Sequence, residues 1–108
     1  MGRMSREKGK RGENEAARLF RSYGIDAKRG CQYKGGPDSP DIVGTPGLHV
    51  EVKRTETLRL WEALAQAKRD AGADEIPVVI HRKNQAHWVA ILDFDDFMKL
   101  YLPTVKGG

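Results

Sequence analysis

The stretch DIVGTPGLHVEVK, from Asp41 to Lys53, decides the fold. Leu48, Val50 and Val52 alternate with His49, Glu51 and Lys53, the period of a half-buried strand. Thr45-Pro46-Gly47 before them has the composition of a tight turn. Asp41 to Gly44, before the turn, reads as a short strand. Two strands across a tight turn make a hairpin, which brings Asp41 opposite the region of Glu51 to Lys53. Glu51 and Lys53 are two apart, so they point to the same face, away from Val50 and Val52.

Outward from the hairpin, the periodicity changes. From about Glu7 to Tyr23, Ala16, Leu19, Phe20 and Tyr23 fall three and four apart, which predicts a helix with one buried stripe closed by Gly24. Ile25 to Tyr33 is a weakly patterned strand, and Lys34 to Pro40 (KGGPDSP) is a loop by composition. Leu58 to Ala71 is a second helix, with Leu60, Trp61, Leu64, Ala65 and Ala67 on its apolar face and Gly72 at its end. Ile76 to Ile80 is a continuous apolar run, expected of a strand covered on both faces. Trp88 to Leu92 forms another strand, and Asp93 caps a last helix pinned to the sheet by Phe94, Phe97, Met98 and Tyr101. The fold expected is α/β: a small mixed β-sheet flanked by helices, in the order helix, three strands, helix, two strands, helix. Residues 1–7 form an expected basic arm, 8–102 one domain and 103–108 a tail.

A chain of 108 residues is one domain. A single cysteine, Cys31, excludes a disulfide framework or a cysteine-rich zinc site within one chain. His49, His81 and His87 are not spaced as zinc ligands; His49 lies on the face of Glu51, within reach of a substrate, and a solvated strand histidine is the simpler reading. No apolar stretch approaches the ~20 residues of a membrane span, so a cytoplasmic setting, in a bacterial or phage-infected cell, is expected. Charge is distributed unevenly. Residues 1–34 carry ten Lys/Arg against four acids, a balance of +6, within a chain whose net charge is +4. A basic first third suits a polyanion, which points to DNA. The residues expected to meet phosphate are Lys8, Lys10, Arg11, Lys28, Arg29 and Lys34.

Two carboxylates on one patch of a sheet repel and raise each other's pKa. A divalent cation relieves that repulsion, and Mg²⁺ favours oxygen ligands with one or two protein carboxylates among them. Lys53 would then orient a water or offset charge on a scissile phosphate. The same spacing also fits a cross-strand ion pair worth at most about 1 kcal/mol. Asp93, Asp95 and Asp96 are explained by helix capping. Trp61 and Trp88 sit in apolar patterns and are expected in the core.

PDSPDIVG followed by EVK resembles the PD-(D/E)xK nuclease superfamily, with Asp41 as the strand acid and Glu51-Val52-Lys53 as E-x-K. KGKRGENEAARLF, from Lys8 to Phe20, is similar to the first helix of archaeal-type Holliday junction resolvases and their phage and bacterial relatives, with Gly9 and Glu13 at the family spacing. The likeness covers roughly residues 8–92. It implies a restriction-endonuclease-like core and metal-assisted phosphodiester hydrolysis. Asp41, Glu51, the Val52 carbonyl and Glu13 would hold Mg²⁺ or Mn²⁺, and Glu13, Asp41, Glu51 and Lys53 would be catalytic.

Glu15 competes with Glu13 for the helix acid, and Asp38 with Asp41 for the strand acid. Spacing to Gly9 and Gly24 favours Glu13, and the start of the strand favours Asp41. Asp38 is kept as an outer or DNA-contacting residue. Gln66 resembles a glutamine that some superfamily members place near the site, and a solvated helix position fits it equally. The expected activity is endonucleolytic cleavage of DNA, branched DNA above all. A nicking, flap or repair nuclease and a non-catalytic DNA-binding domain are the alternatives. A homodimer is expected because a four-way junction needs two opposed cuts, and Trp88, Phe94, Phe97, Leu100, Tyr101 and Leu102 offer an apolar surface.

Overall fold

The computed structural model describes residues 2–30 and 39–107. Its elements are α1 (Gly2–Arg21), β1 (Lys28–Arg29), β2 (Ile42–Val43), β3 (Leu48–Arg54), α2 (Leu60–Asp70), β4 (Ile76–Arg82), β5 (Val89–Ile91) and α3 (Phe94–Val105). This is the expected order. The strands form one mixed sheet in the spatial order β1-β2-β3-β4-β5. β3 and β4 are parallel, joined through α2, and the other neighbours are antiparallel.

Alternation along β3 and β4 divides the core into two layers. Val50, Val52, Val78 and Ile80 face α1 and pack with Ala16, Ala17, Ala27 and Ile42. Val79 faces the other way and packs with Ala63, Leu64 and Ala67 of α2. Burying a side chain such as Val50, Val79 or Ile42 contributes roughly 1.5–3 kcal/mol. Small residues let α1 come close to the sheet. A Cβ on Gly12 would lie 2.6 Å from Cβ of Arg54 on β3, so only glycine fits there. The helix ends in a Schellman motif: Gly24 N–H donates to Arg21 O at 2.9 Å and Ile25 N–H to Phe20 O at 3.3 Å.

α1 begins at Gly2, ahead of the expected start near Glu7. Arg, Met, Glu and Lys extend a helix without contributing to an apolar stripe, so periodicity marks only the part that packs. β1 is shorter than the expected strand, whose last residues, from Cys31, lie outside the described residues.

Three packing expectations are corrected. The buried face of α2 is Ala63, Leu64 and Ala67. Leu60 and Ala65 are exposed, and Trp61 is 80% exposed and not in the core. α2 lies on the sheet through Ala63, Leu64 and Ala67, which leaves Leu60 and Trp61 at its N-terminus outside the contact. α3 has no buried residue: Phe97 meets Phe94 in a tilted pair at 6.0 Å and stacks on Tyr101 at 5.8 Å, and the three do not bury themselves on the sheet. Trp88 does pack against the α1-side core. α2 ends where Gly72 places it, with Ala71 as C-cap in extended conformation and Gly72 just beyond, though not in the left-handed conformation. Among the described residues, no helix is long and apolar enough to cross a membrane.

Candidate metal centre

The β2–β3 hairpin places the first acid. Pro46 and Gly47 occupy the centre of a tight turn in which Leu48 N–H donates to Thr45 O at 3.0 Å. Gly47 has φ +83°, the conformation a type II turn needs at this position. The turn sets the register: Ile42 lies opposite Val50. Asp41 is then held at both ends. Its N–H donates to Val50 O at 3.0 Å, and its Oδ2 accepts the N–H of Val52 at 2.8 Å. Asp41 is thus a buried carboxylate fastened to the backbone of the E-x-K strand.

Glu51 leaves β3 on the α2 side together with His49 and Lys53. It is 4% exposed and meets His49, which is 1% exposed, at 2.8 Å between Oε2 and Nε2. Burial pushes its pKa up to about 8; the charges of Asp41, Asp70 and Glu13 add to the rise, and Lys53 opposes it. Glu13, on α1, is also raised, by burial first and then by Asp41, while its hydrogen bond from Arg29 lowers it. The carboxylate of Asp41 therefore acts on both Glu13 and Glu51. This arrangement of oxygen donors fits a hard divalent cation.

The two first-helix acids separate by role. Glu15 pairs with Arg54 on β3, at 3.3 Å, and with Arg82 on β4. It clamps α1 across two strands. Glu13 sits toward Asp41 and accepts Arg29 Nε at 2.8 Å. Lys53 and Gln66 line one cleft of about 320 Å³, with Thr55, Leu58, Arg59 and Glu62. Among the basic residues, Lys10, Arg11 and Lys28 are exposed, while the head group of Arg29 is engaged by Glu13. Lys34, Asp38 and the side chain of Lys8 lie outside the described residues.

His49 is corrected most strongly. It is a fully buried member of the site, not a solvated strand residue. Its Nδ1 lies 3.7 Å from Glu75 Oε1. The same oxygen accepts Gly72 N–H at 2.8 Å in the turn between α2 and β4. Asp70 completes the group: one donor atom each from His49, Glu51 and Asp70 lie within 4.8 Å of one another, and no other set of three metal-binding side chains does so among the described residues. Glu13, Asp41 and Glu51 are therefore more widely spread than that trio. The phase of His49 with Glu51 was visible in the alternation, but Asp70 and Glu75 join only through the α2 crossover. Comparison with family models, with curated proteins and with solved structures gives no match to this chain.

Proposed function

We propose that this chain is a metal-dependent DNA endonuclease of PD-(D/E)xK type, selective for branched DNA in the manner of Holliday junction resolvases. The observation that carries the reading is Glu51, buried beside Asp41, with Lys53 on the same face. Asp41, Glu51 and the Val52 carbonyl are the groups that would hold Mg²⁺ or Mn²⁺, with Glu13 as a further carboxylate. The ion supplies Lewis acidity and a more acidic water.

The chain's own residues do the rest. Asp41, tied to the Val52 amide, keeps a fixed orientation. Lys53 orients the attacking water and offsets negative charge on the scissile phosphate. Gln66, across the same cleft, donates to or accepts from the substrate or that water. Lys10, Arg11 and Lys28 meet the phosphate backbone. The apolar surface of α3 belongs to a homodimer in this reading, giving two opposed active sites.

The test is cleavage by purified protein with Mg²⁺ on a mobile four-way junction, a flap, a nicked duplex and a linear duplex. The junction is expected to be cut fastest, with no cutting in excess EDTA and none by Asp41→Asn. Cleavage that persists in EDTA refutes the mechanism. Equal rates on all four substrates refute the selectivity.

A further inference from the structure

We infer that His49, Glu51 and Asp70 form a second cation site, on the α2 side of β3, selective for first-row transition metals such as Zn²⁺ over Mg²⁺. It shares Glu51 with the proposed catalytic centre but does not depend on the nuclease reading.

Three independent features converge on it. The donors are already gathered: His49 Nε2 is 2.8 Å from Glu51 Oε2, and an Asp70 oxygen completes a set within 4.8 Å. Little movement separates this from a facial set of three ligands, which leaves further positions for water. The imidazole is also oriented. With Nε2 turned to the cluster, Nδ1 faces Glu75, which the Gly72 amide holds in place. At 3.7 Å this is a charge contact and not a hydrogen bond; a small shift would bring Glu75 to the position from which carboxylates commonly orient metal-binding histidines. Finally, Asp70 lies in the last turn of α2, where the helix dipole disfavours an anion, and among the described residues no basic side chain pairs with it. A cation at this point compensates both Asp70 and Glu51.

The ligand chemistry sets the preference. One nitrogen and two carboxylates suit Zn²⁺, Co²⁺ or Ni²⁺ better than Mg²⁺, which favours oxygen alone and dehydrates reluctantly. Glu75 is partly exposed, so an ion has an approach from the α2–β4 turn although His49 itself is buried. The bound ion would fasten the end of α2 to β3, which gives the site a structural effect that can be measured without any DNA.

The experiment is calorimetric titration of untagged protein with Zn²⁺ in excess Mg²⁺, together with the visible spectrum of the Co²⁺ form and the melting temperature with and without Zn²⁺. Wild type is expected to take up one equivalent that Mg²⁺ does not displace, and to melt higher with it. Asp70→Asn and His49→Gln are expected to bind Zn²⁺ at least tenfold more weakly and to lose the thermal shift. Asp41→Asn should retain both, which separates this site from the oxygen-only centre. Asp70→Asn is the variant least able to disturb folding, so it decides the case if His49→Gln is unstable. Wild-type Zn²⁺ binding by Asp70→Asn, or no stoichiometric uptake by wild type, overturns the inference while leaving Mg²⁺-dependent cleavage to stand or fall alone.

Discussion

His49 Nε2 and Glu51 Oε2 lie 2.8 Å apart in the interior of the protein, on alternate residues of one strand. A proton is shared across this contact. Which of the two donates follows the His49 tautomer, and burial, which pushes the Glu51 pKa up to about 8, favours the Glu51 hydroxyl; His49 Nδ1 lies 3.7 Å from Glu75 Oε1. Asp41, just ahead of β2, Asp70 on α2 and Glu13 on α1 raise the Glu51 pKa, and Lys53 opposes them.

The first prediction follows from the raised pKa of Glu51. The folded protein keeps a proton up to about pH 8 that the unfolded chain, with an ordinary value of 4.5, has already released. The stabilisation is fully present below 4.5 and is lost as pH rises through 8. In EDTA, wild-type stability should therefore fall across this window, by up to about 1.4 kcal/mol per pH unit from this group. Glu51→Gln stays neutral and should remove that component. Urea midpoints of both proteins from pH 5 to 9 test it: parallel curves would show that Glu51 ionises normally.

Much of this arrangement was legible in the chain, and the reasons for the rest are physical. The alternation of β3, the Pro46-Gly47 turn, the Gly24 helix end and the buried run of β4 are local patterns, and local patterns survive folding. The burial of His49 is not local. It depends on where α2 ends and on the turn that carries Glu75, neither of which periodicity encodes. Trp61 differs for the opposite reason: helical spacing assigns an apolar residue to the core, but Ala63, Leu64 and Ala67 make the contact and leave Trp61 in solvent. Spacing to Gly9 and Gly24 favours Glu13 over Glu15, and the partners Arg29, Arg54 and Arg82 add the separate role of each.

Lys53 should prove separable from the fold. It is half-buried, and its carbonyl, not its ammonium, accepts from His81 Nδ1 at 2.9 Å. Lys53→Ala keeps that backbone contact. Cleavage should fall about 10²–10³-fold, the loss typical of removing one electrostatic donor from a transition state. Junction affinity should change little. Turnover near wild type in single-turnover assays would reduce Lys53 to a surface charge.

The basic residues should divide by their partners. Lys10 and Arg11 are exposed on α1, so Lys10→Glu and Arg11→Glu should each lower the slope of log K against log salt by about one. Arg29→Ala should change the slope less, because its guanidinium already serves Glu13. It should instead let the Glu13 pKa rise further, since that hydrogen bond is what lowers it. Equal slope changes for Arg11 and Arg29 would place Arg29 on the DNA.

Assembly is the last prediction. α3 presents Phe94, Phe97, Leu100, Tyr101, Leu102 and Val105 to solvent, all exposed, with Val89 on the adjacent edge strand. Phe97 and Leu100 also line an apolar groove of about 390 Å³ with Leu19, Phe20, Tyr23 and Trp88. Contiguous apolar surface of this kind is rare on monomers, and a two-fold pairing of α3 covers it with the same surface of a second chain. The same pairing supplies the second active site that two cuts in a junction require. Light scattering at micromolar concentration should give twice the chain mass of 12.1 kDa. Leu100→Glu, placed on exposed surface, should return the mass to that of one chain with the fold retained by circular dichroism. In the endonuclease reading it should also convert paired cuts into single nicks. A wild-type mass of one chain would remove the dimer and favour nicking over resolution. A dimer unaffected by Leu100→Glu would move the interface away from α3.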